Sequence, residues 1–164
     1  MWCLLQFKGS NLTSLVSVSG SLYFMGGIAM NIAGLAEFIL GNSFPFAVFI
    51  IYGCHWLVLA YTGDPSHLIL NAFGPEGTTG KPWNAGQGHY ALVMALVSFI
   101  FLLGALRTNV PFVIMFFTLV ILFGFIAVAD YGLCNDTSPE GVQFAGNLLK
   151  IAGGFGVVTA IMGW

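Results

Sequence analysis

Charge is what this sequence has least of. Its 164 residues include four Lys or Arg and six Asp or Glu, 6% in all, with a formal net charge of −2. A soluble domain carries about 25% charged residues, and a globule this poor in charge would expose apolar patches large enough to aggregate. Four basic residues form no stripe able to track phosphates, so nucleic acid is excluded as a partner. Cysteine is scarce too. Cys3, Cys54 and Cys134 are scattered, without the spacing of a disulfide framework or a metal site, and they read as packing residues. Met1-Trp2-Cys3-Leu4-Leu5 lacks a basic stretch followed by a cleavage site, so no signal peptide is expected.

Catalytic constellations are also missing. Gly74-Pro75-Glu76-Gly77-Thr78-Thr79-Gly80-Lys81-Pro82 imitates a phosphate loop but places five residues between Gly74 and Gly80 instead of four. Pro82 stands where a Ser or Thr would meet magnesium. There is no zincin His pair, no clustered Cys and His, and no nucleophile beside a base at a glycine elbow. The expectation is a protein that is not an enzyme and uses neither cofactor nor metal.

What is there is apolar. Hydrophobic residues make up 58% of the chain and gather in five segments: helix A over Leu22–Leu40, with a start as early as Thr13 allowed; helix B over Phe44–Tyr61; helix C over His89–Leu106; helix D over Val110–Ala129; and helix E over Gln143–Trp164. Each is long enough to cross a hydrocarbon core of about 30 Å. The fold class is therefore all-α, a polytopic transmembrane bundle of about five spans in the lipid bilayer. Gly41-Asn42-Ser43 and Arg107-Thr108-Asn109 are very short turns, which make A–B and C–D antiparallel hairpins. The longer connections, Thr62–Gly88 and Asp130–Val142, share one side with Lys8 and bear five acids and two lysines; the other side has Arg107 alone. Orientation follows Lys and Arg rather than net charge, so charge leaves it undecided.

Candidate residues follow from what lipid tolerates. In helix E, Ala152, Gly156 and Ala160 recur every fourth residue, with Gly153 and Gly154 beside them, and helix A offers Gly26, Gly27 and Gly34. Small residues at that spacing let helix backbones approach closely, as a packing seam or as the border of a pathway. Charged side chains inside spans are functional candidates by default. Glu37 near the end of helix A and Lys150 in helix E qualify, with reach to the interface as the plainer reading of each. Helices B and D start on the same side. Tyr52 lies eight residues into B and Leu119 nine into D, roughly 12 and roughly 14 Å deep, so the two are level near mid-membrane. His55 is one turn beyond Tyr52 on the same face. A level aromatic–aliphatic ring suits a hydrophobic constriction, and a neighbouring histidine suits proton exchange; ordinary core packing explains the same residues.

Five stretches then occur in order. They are Phe24-Met25-Gly26-Gly27 through Ala33-Gly34-Leu35-Ala36-Glu37-Phe38, Gly41-Asn42-Ser43-Phe44, Tyr52-Gly53-Cys54-His55-Trp56, Phe116-Phe117-Thr118-Leu119, and Ala152-Gly153-Gly154-Phe155-Gly156 through Thr159-Ala160. With them the sequence resembles the acetate uptake transporter family, which includes the YaaH-type succinate–acetate permease and fungal acetate- and ammonium-linked plasma-membrane proteins. The resemblance implies a six-helix, channel-like carrier for small carboxylates, often proton-coupled and hexameric in bacterial members. It implies a constriction of a first-helix Phe, a third-helix Tyr and a fifth-helix Leu, of which the last two match Tyr52 and Leu119.

The family's first helix, with its Asn-Pro-Ala-Pro-Leu-Gly-Leu signature, has no counterpart here. The expected organisation is an irregular segment over residues 1–21 and a transporter-like domain over 22–164. His55 stands where the family usually has an aromatic or apolar residue, so it inherits no role. The family topology would make the Arg107 face cytoplasmic. The function expected is transport of acetate or a similar short carboxylate with a proton, in a plasma-membrane homo-oligomer. Ammonium or ammonia transport is an alternative, and a non-transporting membrane scaffold is another.

Overall fold

The computed structural model describes residues 3–163. Among the described residues five helices are long and apolar enough to cross a membrane: α1 Thr13–Ile39, α2 Ser43–Gly63, α3 Lys81–Ala105, α4 Val110–Asn135 and α5 Pro139–Met162. No strand occurs among the described residues. The expected end of helix E at Trp164 lies outside them.

The helices run further than the apolar segments because hydrogen bonding continues through polar turns until a cap ends it. α3 begins at Lys81, well ahead of His89, with a proline in its first turn, where a missing N–H costs nothing. α4 continues past Ala129 to Asn135, which places Asp130 inside a helix. Its start is fixed by the Asn109 side chain, which accepts from the Phe112 N–H at 3.0 Å. At α5 the Ser138 hydroxyl accepts from the Gly141 N–H at 3.2 Å, with Pro139 in the first turn. These caps satisfy amides that the helix leaves open.

The α1–α2 turn shows the same economy of residues. Gly41 takes φ +82°, a left-handed conformation that glycine adopts without a Cβ penalty. The Gly41 N–H then reaches Phe38 O at 3.0 Å and the Asn42 N–H reaches Glu37 O at 2.9 Å. This pair of bonds is the Schellman closure of a helix. α1 itself is irregular. It has tight 3-10 turns over Leu12–Val18, wide π turns over Leu22–Ala29 and α geometry from Met30 to Ile39.

The chain falls into two compact units. One is Thr13–Ile69, holding α1 and α2; the other joins residues Met1–Leu12 to Leu70–Trp164 and holds α3, α4 and α5. Within the first, α1 packs along α2, and within the second, α4 packs against both α3 and α5. The outward side chains of α1 are large and apolar, including Phe24, Met25, Ile32, Phe38 and Ile39, a surface suited to hydrocarbon.

Candidate functional site

In the Thr13–Ile69 unit, glycines decide how close α1 and α2 come. A Cβ on Gly26 would lie 2.7 Å from Trp56 Cγ, and one on Gly27 would overlap the Leu57 side chain. One on Gly34 would lie 3.1 Å from Phe49 Cβ. On α2, a Cβ on Gly53 would strike the carboxamide of Asn31. That carboxamide donates to Gly27 O at 2.8 Å and accepts a 3.8 Å contact from the Cys54 thiol. Small residues thus set a close backbone approach, and Asn31 threads a polar contact through it.

Elsewhere on α2, Tyr52 and His55 are both buried, 6% and 7% exposed. Their rings meet edge to face with centroids 6.5 Å apart, and His55 also lies 5.5 Å from the Trp56 ring. The i, i+3 spacing therefore brings the two side chains together. A phenol and an imidazole side by side can each donate and accept a hydrogen bond. That is unusual chemistry for the interior of an apolar span.

Glu37 is half-buried at the end of α1. Its Oε2 accepts from the Asn42 side chain at 2.7 Å, so the carboxylate is tied to the α1–α2 turn. Further along this unit, the Tyr23 hydroxyl and His67 Nε2 are 2.9 Å apart. Tyr61 stacks on the His67 ring at 4.0 Å, and Asp64 Oδ2 stands 3.9 Å from Nε2.

In the other unit, Leu119 on α4 is 8% exposed. Phe116, one turn earlier, is fully buried, with its ring 5.6 Å from Phe101 of α3. Between them Thr118 meets Thr159 of α5, hydroxyl to hydroxyl at 2.7 Å. Ala152, Gly153 and Gly156 are buried on α5, whereas Ala160 is exposed. A Cβ on Gly153 would lie 2.7 Å from the Leu5 backbone nitrogen, so the segment ahead of α1 lies directly on this glycine. Lys150 is exposed on α5, roughly 16 Å along it at the helical rise. Gln143 and Asn147 are exposed on the same face.

Outside the spans, Asp64 and Asp136 share one device. The Ser66 N–H donates to Asp64 Oδ1 at 2.9 Å and the Ser138 N–H to Asp136 Oδ1 at 2.8 Å. Each bond favours the ionised carboxylate and holds its pKa below the usual value of 3.8. No group of three potential metal ligands occurs among the described residues.

Sequence reasoning passed over Asn31, the Thr118–Thr159 pair, the Tyr23–His67 cluster and the helical setting of Asp130. Asn31 was signalled by being a carboxamide in an apolar run, and the threonines by being hydroxyls inside two of the five stretches.

The family model described as GPR1/FUN34/yaaH matches residues 1–164. Among curated relatives, "Protein alcS" of Aspergillus fumigatus is 32% identical over 98% of this chain and 59% of its own length. "Acetate transporter protein patA" of Aspergillus clavatus is 23% identical over 98% of this chain and 62% of its own. "Ammonia transport outward protein 2" of Saccharomyces cerevisiae is 29% identical over 90% and 47%. The chain thus spans about half to three-fifths of the length of these relatives. A solved structure titled "Structure of the bacterial acetate channel SatP" superposes with a TM-score of 0.62 at 23% identity, covering 97% of this chain and 86% of that one. That likeness concerns the fold.

Proposed function

The chain belongs to the GPR1/FUN34/yaaH family, and on that premise we propose that this multi-pass membrane protein moves acetate or a similar short carboxylate together with a proton. The reading rests chiefly on one observation: the family match runs the whole length of the chain. Two of the relatives are named for transport, one of acetate and one of ammonia.

In this reading Tyr52 and Leu119 narrow the path. Both side chains are buried, and an apolar narrowing passes a small solute while limiting water. The carboxylate carries a charge that lipid rejects, so a proton travelling with it lowers the barrier. His55, against Tyr52, is the group placed to exchange that proton. Glu37 and Lys150 are the charged residues that serve the approaches to the path. Gly26, Gly27, Gly34, Ala152, Gly153 and Gly156 form the seams that hold the helices, and Ala160 stands outside them. The chain works in the plasma membrane as a homo-oligomer, hexameric by family resemblance.

A second reading, ammonia or ammonium movement, is favoured by the relative named for outward ammonia transport. Competition separates the two. In proteoliposomes, propionate should compete with labelled acetate and methylammonium should not. Protein-dependent methylammonium flux without acetate flux would overturn the carboxylate reading. Protein-dependent flux of neither would leave a membrane scaffold.

A further inference from the structure

We infer that Thr118 and Thr159 are positioning residues that set which carboxylates pass Leu119. The inference rests on the reading of Leu119 as part of the constriction. The two hydroxyls meet across α4 and α5 at 2.7 Å and are 5% and 9% exposed. Thr118 Oγ1 also lies 3.0 Å from Ile114 O and 2.9 Å from Met115 O, and Thr159 Oγ1 lies 3.0 Å from Phe155 O.

Each hydroxyl has one hydrogen. One therefore donates across to the other helix, and the other donates back to a carbonyl of its own helix. Either direction uses both hydrogens and keeps the bond between helices. Burial alone does not require that bond, because each hydroxyl has a carbonyl in its own helix to satisfy it. What the bond adds is geometry: it forms only at one rotation and one axial register of α4 against α5.

Leu119 follows Thr118, about 100° further round the helix axis. Fixing Thr118 on α5 therefore fixes the direction in which the Leu119 side chain leaves α4. On the preceding turn Phe116 is held by its contact with Phe101 of α3. The stretch that carries Leu119 is thus tied to both neighbouring helices, by aromatic packing on one and by a hydrogen bond on the other.

Thr→Val keeps nearly the same shape and removes only the hydroxyl. Neither single change strands its partner, which still has a carbonyl in its own helix. The test is uptake of labelled acetate and labelled butyrate into proteoliposomes of the full chain, corrected for protein-free vesicles. Thr118→Val and Thr159→Val should each lower the acetate-to-butyrate ratio about three-fold, the factor expected for one interhelical hydrogen bond in a bilayer. The double variant should go no further than either single one, since all three lose the same bond. Thr118→Ser should restore the ratio. Leu119→Ala, run alongside, reports on the underlying reading. If it shifts the ratio while both valine variants leave it unchanged, the inference falls and the reading stands. If it leaves the ratio unchanged, the reading falls and takes the inference with it. Additive valine effects, or failure of serine to rescue, would also overturn the inference, because packing rather than the bond would then be responsible.

Discussion

Substituting Gly26 tests the α1–α2 seam against a built-in control. An alanine Cβ at Gly26 would sit 2.7 Å from Trp56 Cγ and 2.9 Å from Trp56 Cβ. Carbon atoms rest about 3.5–4.0 Å apart, so α1 would have to withdraw by roughly 1 Å at this point. The obstacle is the base of a large ring, close to the α2 backbone, and no flexible side-chain end can swing aside. Overpacking of this kind costs about 1–3 kcal/mol. Alanine also gains about 1 kcal/mol of helix propensity over glycine, which partly hides that cost. Gly20, on the same helix, has nothing within 4 Å of its Cβ position, so Gly20→Ala should show the propensity gain alone. The difference between the two variants isolates the seam and should be about 1–3 kcal/mol, with Gly26→Ala the less stable. Denaturant titration of both proteins in the same micelles measures it. Equal stabilities would refute the close approach of α1 to Trp56.

Three further outcomes follow from the geometry. His55→Phe keeps an aromatic ring but removes the titrating group, and it should flatten the pH dependence of acetate uptake; an unchanged profile would remove His55 from proton exchange. Asp64 and Asp136 have folded pKa values below the 3.8 of a free aspartate. Their contribution to turn stability is therefore present above that value and lost as pH falls through the lower folded value, so carboxyl NMR titrations in nanodiscs should give midpoints below 3.8, and midpoints at or above it would refute the Ser66 and Ser138 bonds. Lys150→Cys should react with a water-soluble maleimide and be protected by acetate if this position serves the path; no labelling would leave it facing lipid.

The five spans were legible because hydropathy reports what lipid accepts. Helix ends were less so: Lys81–Gly88 is polar yet helical, since backbone bonding continues above the hydrocarbon until a cap stops it. The Tyr52–His55 pair was legible because i, i+3 spacing lies within one helix. Thr118 and Thr159 are 41 residues apart, and nothing in a single sequence says which faces of α4 and α5 meet. The small-residue pattern of α5 shows the limit of period counting. Every fourth residue advances about 40° round a straight helix, so over Ala152, Gly156 and Ala160 the pattern turns by roughly 80°, and Ala160 emerges on the exposed side.

The most direct test of carboxylate transport is accumulation of labelled acetate in proteoliposomes of this chain under an inward proton gradient, with protein-free vesicles subtracted. The account predicts protein-dependent accumulation that a protonophore collapses and that Tyr52→Ala or Leu119→Ala alters. Acetate entry no faster than through the bare bilayer, whatever the gradient, would contradict it.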